Sequence, residues 1–161
     1  MSRAFVKEDG PDNTPLPDLP IPPQPNHVTA EGLAALHRRL AGRQADLAAL
    51  RARPERLDRL PEAAAERDIR YLDARLRSAI LVDPATLPAD EMAFGRMVIT
   101  TDDAGRTRTW RIVGEDEADA AHNLITPHSP LGRALMGARV GDVIEWPRPN
   151  GQVTLTISHI G

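Results

Sequence analysis

From Thr29 onward, apolar residues recur at helical spacing. Leu33, Leu36, Leu40, Leu47 and Leu50 follow one another at intervals of three, four, seven and three, with Arg43 in the skipped place. Residues at such intervals share one face of a helix, so the run predicts an amphipathic helix whose narrow stripe needs a partner. Thr29 precedes it as a capping residue, and Glu31 puts negative charge in the first turn, at the positive end of the helix. Pro54 and Pro61 interrupt the pattern. A second seam follows at Ile69, Leu72, Leu76 and Ala79 and stops at Asp83-Pro84. Two stripes of similar length on either side of a proline-bracketed stretch predict an antiparallel coiled-coil hairpin.

From about residue 94 the period shortens towards two. Met97 and Ile99 alternate with Val98 and Thr100, Asp102-Asp103-Ala104-Gly105 reads as a turn, and Arg106 to Val113 is rich in Thr, Trp, Ile and Val. Asn123 to Thr126 is a candidate short strand. Ser129-Pro130 opens a short helix, with Ser as cap and Pro at the first helical position. Leu131, Ala134 and Leu135 supply its buried face, and Gly137 closes it. Beyond the Gly141-Asp142 turn, Val143 to Trp146 and Val153, Leu155 and Ile157 flank Asn150-Gly151, a strong hairpin signal. The fold class expected is therefore α+β, a helical hairpin followed by an antiparallel β domain with one short helix. At ~75 residues that domain is near the lower size for a core of its own. The boundaries expected are a disordered proline-rich tail over 1–27, the hairpin over 28–83 and the β domain over 84–161.

The tail follows from composition. Seven of the chain's 15 prolines lie in residues 11–25, and each removes a backbone donor and fixes φ, which favours extended, polyproline-like chain. Charge is divided: residues 28–83 carry 11 Arg against 9 acids, residues 84–161 carry 7 against 10, and residues 1–27 carry 2 basic residues against 4 acids. With a net charge of −3 there is no broad basic field for nucleic acid, and a protein partner is the better expectation. The absence of cysteine removes disulfides, thiolate metal sites and cysteine nucleophiles. No apolar run is long enough to span a bilayer and the N-terminus lacks a signal-like apolar stretch, so a cytoplasmic protein without membrane contact is expected.

The chemistry-bearing residues form no catalytic motif. His27, His37, His122, His128 and His159 are not spaced as zinc ligands, and neither a glycine-rich phosphate loop nor a nucleophile elbow is present. His122 and His128 flank a loop near Asp116 and Asp119, and the acidic run Glu115 to Asp119 reads as a solvated turn. No metal, no cofactor and no catalytic residue is expected, and the chain is not expected to be an enzyme.

One pattern runs through the whole chain. Ile112 to Asp119, Ser129-Pro130-Leu131-Gly132-Arg133-Ala134-Leu135-Met136-Gly137 and Val140-Gly141-Asp142-Val143 closely resemble the C-terminal domain of the Gre transcript-cleavage and elongation factors. Val28 to Leu33 and Asp68 to Leu76 resemble the hairpin of the same family, nearer to its GreB branch at the second site. The resemblance covers residues 28–160 in order. It implies an FKBP-like C-terminal domain and a bacterial RNA polymerase partner, gripped at the rim of its secondary channel while the hairpin enters the channel. DNA and RNA would be met only within that complex, by a monomer. By the same resemblance the loop at His128, Ser129, Pro130 and Leu131 would face polymerase.

The chain departs from the family at the hairpin tip. Cleavage in the family depends on an acidic Gly-Asp-hydrophobic-x-Glu-Asn type motif, and no such string is present. Between the seams Glu55, Asp58, Glu62 and Glu66 alternate with Arg53, Arg56, Arg59 and Arg67, which reads as a nearly neutral solvated turn. Against the family pattern each arm is shorter by roughly two turns, or ~11 Å. The resemblance thus implies an elongation regulator that binds polymerase without efficient cleavage and competes with cleavage-proficient relatives. The alternatives are a cleavage factor using Asp58 and Glu62 as metal ligands, and an FKBP-like prolyl isomerase, for which the aromatics are sparse.

Overall fold

The computed structural model describes residues 14–161, in two compact units. One comprises His37–Arg77 with the described residues up to Ile21; the other comprises Pro22–Leu36 with Ser78–Gly161. In chain order the elements are β1 (His27–Val28), α1 (Ala30–Arg51), α2 (Leu60–Ser78), β2 (Ile80–Leu81), β3 (Met97–Asp102), β4 (Thr107–Ile112), β5 (Leu124–Ile125), α3 (Pro130–Leu135), β6 (Val143–Arg148) and β7 (Gly151–Ile160).

In the first unit the outer part of α1 pairs with α2, as the two seams require. Leu47 and Leu72 are buried, and Leu40 and Leu50 are half-buried. Arg43, in the skipped leucine position, crosses to α2 and meets Asp68 at 2.7 Å, while Arg51 meets Glu66 at 2.7 Å. Two details depart from the expected pattern. Pro61 does not interrupt α2 but lies in its first turn, where a missing N–H costs no helical hydrogen bond, so the connection narrows to residues 52–59. The buried face of α2 is Glu62, Ala65, Leu72 and Arg75, with Ile69 and Leu76 only half-buried.

The proline-rich segment also differs from the expected disordered tail. Residues 1–13 lie outside the described part. Residues 14–25 form neither helix nor strand, but they are packed: Arg70 of α2 donates to the Leu16 carbonyl at 2.9 Å and to Asp18 Oδ1 at 2.6 Å, and Leu16 and Leu19 are half-buried.

In the second unit five strands form one sheet in the order β5-β4-β3-β7-β6. It is mixed, not wholly antiparallel as expected, because β5 runs parallel to β4 at one edge. Asp102 builds the β3–β4 turn by accepting the Ala104 and Arg106 N–H groups, and Gly105 there has a φ of +76° that suits glycine. Met92, Phe94, Val98, Trp110, Ile112, Leu131, Leu135, Ile144, Leu155 and Ile157 make the core between the sheet and α3. Trp110 meets Trp146 edge-on at 5.3 Å and donates its indole N–H to Thr100 Oγ1 at 3.0 Å. The expected boundaries at 27/28 and 83/84 shift: β1 and β2 form a short parallel ladder, so the two ends of the hairpin belong with the β unit.

Candidate functional site

The tip is built by a turn in which an arginine and a backbone amide engage two of its carboxylates. Arg56 grips Glu62 with two guanidinium nitrogens, Nε on Oε1 at 2.8 Å and Nη2 on Oε2. Arg53 Nη2 lies 3.9 Å from Glu62 and donates to the Asp58 carbonyl at 3.3 Å. Glu62 is only 4% exposed. The hydrogen bond from Arg56 holds its carboxyl below the usual carboxylate range and raises the Arg56 guanidinium in turn. Asp58 Oδ1 accepts the Leu60 N–H at 2.9 Å and so closes the start of α2. Glu66 is spent on Arg51, and Glu55 is exposed. At the apex Leu57 is 87% exposed.

Of the four tip acids expected from sequence, then, three are already engaged, and they are not brought together. Among the described residues no group of three or more His, Cys, Asp or Glu side chains is placed to hold a metal ion. Oxygens already accepting charge-assisted hydrogen bonds are poor competitors for a hard cation, which needs several carboxylate or carbonyl oxygens at once.

The second region opens α3. Ser129 Oγ accepts the Gly132 N–H at 3.0 Å and donates to the Thr126 carbonyl at 2.8 Å, and Pro130 fills the first turn. Gly132 is required by close approach, since a methyl there would collide with the Thr126 carbonyl oxygen. His128 and Pro130 are exposed and Ser129 is half-buried. Leu131 corrects its expected docking role: at 2% exposure it lies in the core and has no free surface for a partner.

A third contact escaped the reading of the sequence. Thr29 caps α1 by accepting the Gly32 N–H at 2.9 Å, and its hydroxyl donates to Glu117 Oε2 at 2.6 Å. Glu117 belongs to the acidic run read as a solvated turn, so that run is in part an anchor for the hairpin's first residues. Asp119 is likewise engaged, with the Ala121 N–H at 3.0 Å and His122 Nδ1 at 2.6 Å. The His122 hydrogen bond, the largest influence, holds the Asp119 carboxyl below its ordinary range. The signal for Glu117 was present but indirect: the two stretches it joins, Val28 to Leu33 and Ile112 to Asp119, are among those that resemble one family.

Among the described residues no helix is long and apolar enough to cross a membrane. A family profile described as transcription elongation factor, GreA/GreB, C-term, matches residues 87–161. The transcription elongation factor GreA of Sphingopyxis alaskensis is 36% identical over 137 residues, covering 72% of this chain and 87% of that factor. The transcription elongation factor GreB of Neisseria meningitidis serogroup B is 43% identical over 93 residues, 57% of each chain, so this chain spans little more than half of that relative. Among solved structures, GreA factor homolog 1 (Gfh1) of Thermus thermophilus is 22% identical with a TM-score of 0.40, covering 86% of this chain and 99% of that one.

Proposed function

The chain belongs to the GreA/GreB family of transcription elongation factors, and from that premise we propose that it docks on bacterial RNA polymerase at the secondary channel without stimulating transcript cleavage. It is a regulator acting on an enzyme and not itself an enzyme. The observation that carries this reading is the tip, where Glu62 is held by Arg56 and Asp58 by the Leu60 amide. Cleavage of a phosphodiester by a two-metal centre needs carboxylates that are free to hold a second cation and its water. Here Arg56 engages the one and the Leu60 amide the other.

Arm length supports the same reading. The 137 positions aligned with the Sphingopyxis factor take up 72% of this chain's 161 residues, which is about 116. About twenty positions are thus absent here, somewhat more than the ~14 that losing two turns from each arm would remove. At 22 residues α1 is about 33 Å long. His128, Ser129 and Pro130 make the docking loop in this proposal. A protein that binds where cleavage factors bind and lacks their tip chemistry competes with them.

The test is a backtracked elongation complex titrated with the protein, alone and against a cleavage-proficient GreA. The proposal expects no cleavage above background alone and dose-dependent inhibition of the competent factor. Robust cleavage that Asp58→Ala or Glu62→Ala abolishes would overturn it.

A further inference from the structure

We infer that residues 14–21 form a strap on the flank of α2 that gates the hairpin's access to its partner. Four observations carry this. Arg70 clamps the segment at two points, the Leu16 carbonyl at 2.9 Å and the Asp18 carboxylate at 2.6 Å. Leu19 reaches two adjoining clefts of the hairpin unit, one lined by Tyr71, Ala74 and Arg77 and the other by Arg43 and Leu72. The charge fits as well: Asp18, the only charged residue of 14–21, lies against a hairpin in which residues 28–83 carry 11 Arg against 9 acids. Finally, Pro15, Pro17 and Pro20 hold this stretch extended before it docks, so little chain entropy is lost on docking.

The strap is built to release. The backbone groups of α2 are already bonded within the helix, so no row of backbone hydrogen bonds fastens the segment to it. The Asp18–Arg70 pair is 75% and 41% exposed on its two sides, and an exposed pair contributes little. The segment therefore covers the flank in the free protein and yields to a competitor for the same flank. A partner that encloses the hairpin, as the docking proposal above requires, is such a competitor. Strap and partner then exclude each other, and the partner's apparent affinity falls by the fraction of chains in which the strap is open.

The absence of cysteine makes the strap testable in the full chain. In the double variant Leu19→Cys/Ala74→Cys, a short bismaleimide should join the two positions within one molecule. Binding to core RNA polymerase is then compared before and after cross-linking, with each single variant, capped by a monofunctional maleimide, as control. Because Leu19 is one of the strap's own contacts, the inference expects a high intramolecular yield, affinity at or above that of the wild type before cross-linking and a loss of about tenfold or more after it. Failure to cross-link within one molecule would show that the strap does not cover the flank. Equal affinity in the locked and unlocked forms would show that it does not gate. Either result overturns the inference while leaving the docking proposal standing; absence of binding in wild type and every variant alike overturns the docking proposal, and the gate with it. As a second variant, Asp18→Arg/Leu19→Ser should loosen the strap and tighten polymerase binding about threefold, and unchanged or weakened binding would count against it.

Discussion

The β unit and the hairpin unit are held together by different physics. The β unit closes on a continuous apolar core from Met92 to Ile157, with its polar side chains engaged at turns and caps. The hairpin unit buries few apolar side chains, chiefly Leu47, Ala65 and Leu72, and is laced by Arg43–Asp68, Arg51–Glu66 and Arg56–Glu62. Apolar burial is strong and insensitive to salt, whereas exposed or half-exposed ion pairs are weak and screened. Under the docking proposal, the contrast suits a β unit of fixed shape and a hairpin unit whose surface exchanges partners. It also says where substitutions will hurt.

The largest effect should come from Leu131→Ala. The side chain sits fully inside the core, and removing a buried leucine typically costs about 2–5 kcal/mol. Thermal unfolding of the variant should shift down by many degrees, whereas Pro130→Ala, one residue away and exposed, should leave the transition nearly in place. A small shift for Leu131→Ala would mean that α3 is not anchored as described. Next comes Gly132→Ala, where the added methyl must displace the Thr126 carbonyl that Ser129 also uses. Overpacking of that kind costs about 1–3 kcal/mol, again read by denaturant unfolding. Third is Thr29→Ala, which removes both the α1 cap and the hydroxyl on Glu117. About 1 kcal/mol is expected, and Thr29→Ser should recover most of it because the capping oxygen is restored.

The same contrast explains what could be read from the sequence. Ser129-Pro130 as a cap, the Asp102 to Gly105 turn, Asn150-Gly151 between β6 and β7 and the leucine seam of α1 all depend on near neighbours in the chain. Local propensity and period therefore pointed to them directly. The β1–β2 ladder joins dipeptides some fifty positions apart, and two residues carry no periodicity. Glu117 meets Thr29 across 88 positions, and nothing in an acidic run says which acid will find a distant hydroxyl. Leu131 was legible as an apolar position of a short helix; assigning it also to a docking surface conflicted with that. The strap escaped notice because proline content signals extended chain, and whether extended chain packs depends on a groove elsewhere. At the tip, alternating signs suggested solvation, but the structure buries Glu62 under a half-buried Arg56. Charge order alone could not show which arginine would fold back.

The smallest effect, and the sharpest test of the hairpin's electrostatic character, concerns that grip and pH. Arg56 holds the Glu62 carboxyl below its ordinary range. A carboxyl whose folded pKa lies below its unfolded value, about 4.3 for glutamate, binds fewer protons folded than unfolded in the interval between the two. The stabilisation is therefore complete above the unfolded value and is lost as pH falls through the folded one. Arg56→Ala removes the leading cause of the shift, so the variant should unfold at a slightly lower temperature at neutral pH. As pH falls below the unfolded value and through the lowered folded one, its curve should converge on that of the wild type, since the grip is then lost in both. Melting curves between neutral pH and about pH 3, recorded in low salt, would show this. Parallel curves across the whole range would mean that Glu62 is not held by Arg56. Its carboxylate would then be free at the tip, which would remove the main ground for expecting no cleavage.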